Sequence, residues 1–170
     1  MQSILPEHLD FVQKADLGCE IKGKWPVARL NRLTDLLLND SGELNAELEF
    51  GRKGKLRYIT GKVSTEVEVA CQRCMQPMLL KLDANIKLGL ISSEEYVDRL
   101  PEGYDPWLVS DKDMSLAYML EEELLLVVPL VAMHEEDCSD YLQEQEKRKQ
   151  TENIEETEKK NPFSVLKDLL

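Results

Sequence analysis

Four residues of this chain have types and spacings suited to holding a metal ion. Cys71 and Cys74 form a C-x-x-C, Cys71-Gln-Arg-Cys74, and a tight turn at that spacing folds both thiolates to one side of the backbone. A tetrahedral site needs two further ligands. His134 and Cys138, spaced H-x-x-x-C, are the pair available to complete a Cys3His set around a structural zinc ion. The competing reading is a set of reduced core or surface thiols, since the fold must carry residue 134 back to residue 74 to build the site. Cys19 stands apart and reads as a small buried apolar residue. Redox pairs sit at a helix N-terminus, where the dipole lowers a thiol pKa, whereas this C-x-x-C lies between two strand-like stretches. His134-Glu135 opens like H-E-x-x-H, but Cys138 removes the second histidine of a zinc hydrolase. No Walker loop, dinucleotide fingerprint or nucleophile elbow occurs, and His8 and His134 are the only histidines. The chain is therefore expected to work by binding, without catalysis and without a small-molecule substrate.

A second chemistry is concentrated in GRKGKLRYITGK (51–62), which holds five cations and no anion: Arg52, Lys53, Lys55, Arg57 and Lys62. With Tyr58 among them and Arg73 on the following turn, such a hairpin would contact RNA phosphate and stack a base. A sheet edge guarded against aggregation by Lys and Arg has the same composition. The background makes the cluster stand out. The 170 residues carry 33 acidic and 21 basic side chains, a formal charge of −12, which excludes a uniformly basic nucleic-acid sleeve. Residues 94–123 hold ten acidic and two basic side chains, and residues 135–160 hold ten and five. The remainder, 13 acidic and 14 basic, is close to neutral, so the acidic stretches read as protein-facing surfaces.

The elements that must position these groups follow from apolar periodicity. Residues 10–18 predict a short helix closed by Gly18, and 19–25 a strand. Pro26 with Val27, Leu30, Leu33 and Leu37 at helical spacing predicts an amphipathic helix over 26–38. GELNAELEF (42–50) then alternates, GRKG (51–54) has turn chemistry, and a long alternating stretch from Leu56 to Cys71 puts Ile59, Val63, Thr65, Val67 and Val69 on one face. After CQRCMQP, the even-numbered residues Met78 to Leu90 take the core side of a third strand. Residues 92–113 are acidic and turn-rich, and a helix over 113–128, with Asp113 as its cap, ends at Pro129 with Glu121 to Glu123 at least partly in water. The fold class is α+β: an antiparallel β-meander packed with helices over residues 1–134, a polar, partly disordered linker over 135–160, and a short C-terminal helix over 161–170. In that last segment Phe163, Leu166 and Leu169 share a helical face that docks either on a partner or on its own domain. The N-terminus has no cationic start followed by an apolar run, and the longest apolar run, Leu124 to Met133, is about half of the roughly 20 residues a membrane helix needs. A reduced, cytoplasmic protein away from membranes is expected.

Four segments in order, CQRCMQP (71–77), LPEGYDPW (ending at Trp107), EEELLLVVPLVAMHEEDC (121–138) and NPFSVLKDLL (161–170), resemble the bacterial large ribosomal RNA subunit accumulation proteins, the YceD family. The resemblance covers nearly the whole chain. Ala132 stands where a second proline is expected before the histidine, and the 51–57 hairpin is unusually basic. The resemblance implies a cytoplasmic, non-enzymatic ribosome-biogenesis factor that supports synthesis, processing or stability of 23S rRNA. Its partners would be precursor 23S rRNA, large-subunit ribosomal proteins or other assembly factors. It supplies no catalytic residues. Its Cys-x-Arg-Cys falls on Cys71, Arg73 and Cys74, and its following His and Cys on His134 and Cys138. The alternative is a protein-interaction adaptor, or a chaperone for a basic ribosomal protein, that never touches RNA.

Overall fold

Alternating burial along three long strands builds the centre of the fold. The structure is a computed structural model that describes residues 4–110 and 112–138. The linker from Ser139 onward and the segment with Phe163, Leu166 and Leu169 lie outside the described residues. The elements in chain order are β1 (His8–Leu9), α1 (Phe11–Leu17), β2 (Glu20–Pro26), α2 (Asn31–Thr34), β3 (Glu43–Lys53), β4 (Leu56–Ala70), β5 (Pro77–Ile91), β6 (Asp105–Leu108), β7 (Met114–Ser115) and α3 (Leu116–Val127). Short 3-10 turns cover Val27–Arg29 and Glu94–Arg99. The first compact unit is Met1–Met133, and the second begins at His134.

The large sheet has the order β2-β3-β4-β5-β6. β3, β4 and β5 form the expected antiparallel meander, with Asn45 opposite Ser64 and Val63 opposite Ala84, and β2 joins it antiparallel to β3, Trp25 opposite Leu44. β6 is an addition that periodicity did not announce: it runs parallel to β5, Leu88 opposite Asp105 through Ile91 opposite Leu108. The sheet is mixed, and the class is α+β. On one face Leu44, Leu48 and Phe50 of β3, Ile59, Val63 and Val67 of β4, and Leu82, Ile86 and Leu88 of β5 are buried. α1 and α3 pack on that face, where Phe11 meets Phe50 with ring centroids 5.7 Å apart. The opposite face carries Glu47, Lys62, Glu66, Asp83 and Lys87 into solvent, as period two requires.

Two predicted helices change. The helix expected over 26–38 is a 3-10 turn followed by a single helical turn, α2. Pro26 ends β2 opposite Glu43 instead of opening a helix, and the Val27 N–H donates to the Gly42 carbonyl at 3.1 Å. Leu30, at φ −101° and ψ 83°, interrupts the helical path. The apolar spacing still does its work, because Val27, Leu30 and Leu33 are all buried. The helix expected over 113–128 begins three residues later, and Ser115, not Asp113, caps it by accepting from the Tyr118 N–H at 3.2 Å. α1 matches its expectation: Asp10 caps it by accepting from the Gln13 N–H at 2.8 Å, and Gly18 closes it at φ 64°.

Candidate functional site

The C-x-x-C occupies the turn between β4 and β5, so two strands of the central sheet hold it. Inside the turn the Cys71 N–H donates to the Gln76 carbonyl at 2.9 Å, and the Met75 N–H to the Cys71 carbonyl at 2.8 Å. Met75, directly after Cys74, sits at φ 61°, left-handed backbone that a non-glycine residue adopts at a cost of about 1–2 kcal/mol. Such a conformation persists where the surroundings over-determine it. Two hydrogen bonds tie the chain leaving α3 to the same turn: the Gln72 N–H donates to the Ala132 carbonyl at 2.8 Å, and Gln72 Nε2 to the Leu130 carbonyl at 3.3 Å. Ala132, which replaces the expected proline, is buried and serves through its carbonyl.

Cys71, Cys74, His134 and Cys138 form a group in which one ligand atom from each lies within 4.8 Å of the others. Sulfurs about 2.3 Å from a tetrahedral zinc ion lie roughly 3.8 Å from one another, so the cluster has the dimensions and the donor set of a Cys3His site. Cys71 is buried and the other three are half-buried.

The cationic residues are distributed differently from the sequence reading. β3 continues to Lys53 and the reversal falls on Gly54-Lys55, with Gly54 at φ 63°. Arg52 and Arg57 are then directly opposite each other across the ladder, a like-charge pair that needs an anion between. Asp16 of α1 supplies it: its Oδ1 accepts from Arg57 Nε at 2.8 Å and from Arg52 Nη1 at 3.1 Å, and its Oδ2 from Arg57 Nη2 at 3.0 Å. The Arg57 hydrogen bond, more than any other influence, holds the Asp16 carboxyl below the usual carboxylate range, and the same bond pushes Arg57 up. Lys53 and Lys55 point into solvent. Tyr58 is half-buried: its ring lies over Gly51, where any Cβ would come within 2.4 Å of it, and 6.1 Å from the ring of Tyr104. Lys62 stands on the solvent face opposite Glu47. Arg73 belongs to the other end of the sheet, since β4 puts 15 residues, roughly 50 Å, between the hairpin and the C-x-x-C turn. Arg73 and the hairpin therefore do not make one patch.

Sequence reading missed Asp16, whose partners lie 36 and 41 residues away, and nothing local signals such a pairing. It also missed Tyr96 and Arg99, which line a cavity at the hairpin end of the sheet together with Lys55 and Arg57.

Among the described residues no helix is long and apolar enough to cross a membrane. The family model described as "Large ribosomal RNA subunit accumulation protein YceD" matches residues 59–170. A protein of that name from Haemophilus influenzae is 31% identical over 173 aligned residues, which span 99% of this chain and 98% of the relative. No solved structure matches the chain.

Proposed function

The chain belongs to the YceD family of large ribosomal RNA subunit accumulation proteins, and we propose from that premise that it supports accumulation of large-subunit rRNA in the cytoplasm by binding, not by catalysis. The near end-to-end relation to a relative of that name carries the reading. The contact surface is the hairpin end of the sheet. There Lys53 and Lys55 are exposed, while Asp16 organises Arg52 and Arg57 and offsets part of their charge. In a chain of net charge −12 this is the place where polyanionic RNA finds attraction.

Salt titration of binding to a 23S rRNA fragment tests this reading. Wild-type affinity should fall steeply with salt, by a slope of about 0.7–0.9 per phosphate contact on a log–log plot. Replacing Arg52, Lys53, Lys55 and Arg57 together by alanine should remove most of the slope, with the lysines accounting for the larger share. Asp16→Asn should tighten binding several-fold, because it removes the anion that screens both arginines. A quadruple variant that binds like wild type would make the hairpin the wrong surface. A wild-type chain that binds no RNA at low salt, yet loses its cellular role when residues 161–170 are removed, would establish the adaptor instead.

The Cys3His cluster serves this function as a structural zinc site that pins the C-x-x-C turn to the chain following α3. Thiolate and imidazole ligands suit zinc, and its role would be purely to hold residues in place. Protein purified under reducing conditions should contain one zinc ion per chain, and Cys74→Ser should lower that well below one. Substoichiometric zinc in the wild type, with normal folding of Cys71→Ser, would dispose of the metal.

A further inference from the structure

At the hairpin end of the sheet, where β4 begins and β5 ends, the surface opens into a cavity of about 440 Å³. That volume lies within the roughly 300–1,000 Å³ typical of small-ligand clefts. Its walls are apolar at Leu90 and Leu100, and its charged lining consists of Lys55, Arg57 and Arg99, with no acidic side chain among the lining residues. In a chain with 33 acidic and 21 basic residues, that is a segregation of charge. Asp16 takes Nε and Nη2 of Arg57 and so fixes the guanidinium at the cavity wall. Tyr96 is 39% exposed and lines the same cavity, with the Arg99 guanidinium carbon 4.9 Å from its ring centroid.

A cavity lined by apolar side chains, one aromatic ring and three cations complements the chemistry of a nucleotide: a base with a π-face, attached to phosphate. We propose that this cavity takes one unstacked nucleotide of single-stranded RNA. The base lies against Leu90, Leu100 and the Tyr96 ring, and the flanking phosphates meet Lys55, Arg57 and Arg99. An acidic peptide with an apolar anchor would also meet cations and an apolar wall. The Tyr96–Arg99 pair favours RNA, because ring and guanidinium planes are stacking surfaces for bases. The proposal rests on the reading that the chain binds RNA and assigns that binding a specific pocket.

The test uses the full chain and a fluorescein-labelled, unstructured oligouridine RNA, with affinity measured across a series of salt concentrations. Tyr96→Ala should weaken binding about tenfold to a hundredfold, the range of a lost base–aromatic stack. It should leave the salt slope unchanged, since no phosphate contact is lost, and Tyr96→Phe should restore wild-type affinity. Lys55→Ala should instead lower the slope by about one. A second measurement needs no variant. Photocrosslinking wild-type protein to 4-thiouridine RNA and digesting with trypsin should label the peptide Leu88–Arg99, which contains Ser92 and Tyr96. If Tyr96→Ala binds like wild type, or crosslinks fall only on residues 52–57, the pocket is overturned while RNA binding by the hairpin stands. If wild-type protein binds no RNA at all, the broader reading fails and the pocket with it. Capture of an acidic, apolar peptide in a Tyr96-dependent way, without RNA binding, would assign the cavity to a protein partner and overturn the proposal.

Discussion

Replacing Glu121 by alanine is expected to destabilise the protein by about 3 kcal/mol and to lower its melting temperature by roughly 10 °C. Glu121 is only 6% exposed, and its Oε1 accepts from two backbone N–H groups of α2, Arg32 at 2.8 Å and Leu33 at 3.1 Å. The first N–H groups of a helix have no partner within the helix, and Leu30, in the capping position, has no side-chain oxygen to offer. A carboxylate from α3, some 90 residues away, therefore does what a local serine or aspartate does elsewhere. Removing it leaves two donors facing a buried gap. Glu121→Gln keeps an acceptor oxygen and should cost about 1 kcal/mol. Urea denaturation followed by circular dichroism measures both. An alanine variant within 0.5 kcal/mol of wild type would mean that these bonds do not hold α2 to α3.

Gly61→Ala should cost a similar amount, about 3 kcal/mol, for a steric reason. Gly61 pairs with Leu48 in the middle of the β3–β4 ladder, and a Cβ there would sit 2.1 Å from the Glu47 carbonyl oxygen and 3.0 Å from the Leu48 Cα. Both obstacles are backbone of the neighbouring strand, so no side-chain rotation relieves the overlap. The strands would have to separate locally, breaking ladder bonds between the core and the hairpin that presents Lys53 and Lys55. Gly54→Ala is the useful contrast. Nothing lies within 4 Å of its would-be Cβ, so only the left-handed backbone at φ 63° resists the change, at roughly 1 kcal/mol. Equal losses at the two glycines would refute the steric account.

The meander was legible because its signal is local. Alternation along 42–50, 56–71 and 78–90 fixes which side chains face the core, and the structure buries Leu44, Ile59, Val63, Leu82 and Ile86 accordingly. The acid run Glu121-Glu122-Glu123 was illegible for the opposite reason. Three identical residues in succession turn to different sides of a helix and meet different surroundings. Glu121 is buried as a cap. Glu122 pairs with Arg32, whose hydrogen bond holds its carboxyl low. Glu123 is pushed up by burial first and then by the Asp105 and Glu122 carboxylates. The thiol–histidine set could be read from residue types, but nothing local in the sequence announces that Gln72 bonds Ala132 across 60 residues. The hairpin charge was legible as composition, whereas its partial neutralisation by Asp16 was not. β6 has too few residues to show a period, and its parallel pairing is decided by the chain that loops over from β5.

The small β1–β7 ribbon has a consequence for how this protein comes into being. It pairs His8 with Ser115 and Leu9 with Met114, and the Leu116 N–H donates to the Glu7 carbonyl at 3.0 Å. β3, β4 and β5 pair with near neighbours and can assemble as they emerge during translation. His8 and Leu9 wait instead for a partner made over a hundred residues later, which at synthesis rates of about 5–20 residues per second is a delay of roughly 5–20 s. β1 can thus pair only once β7 has been made, and the arrival of β7 and α3 both latches β1 and caps α2.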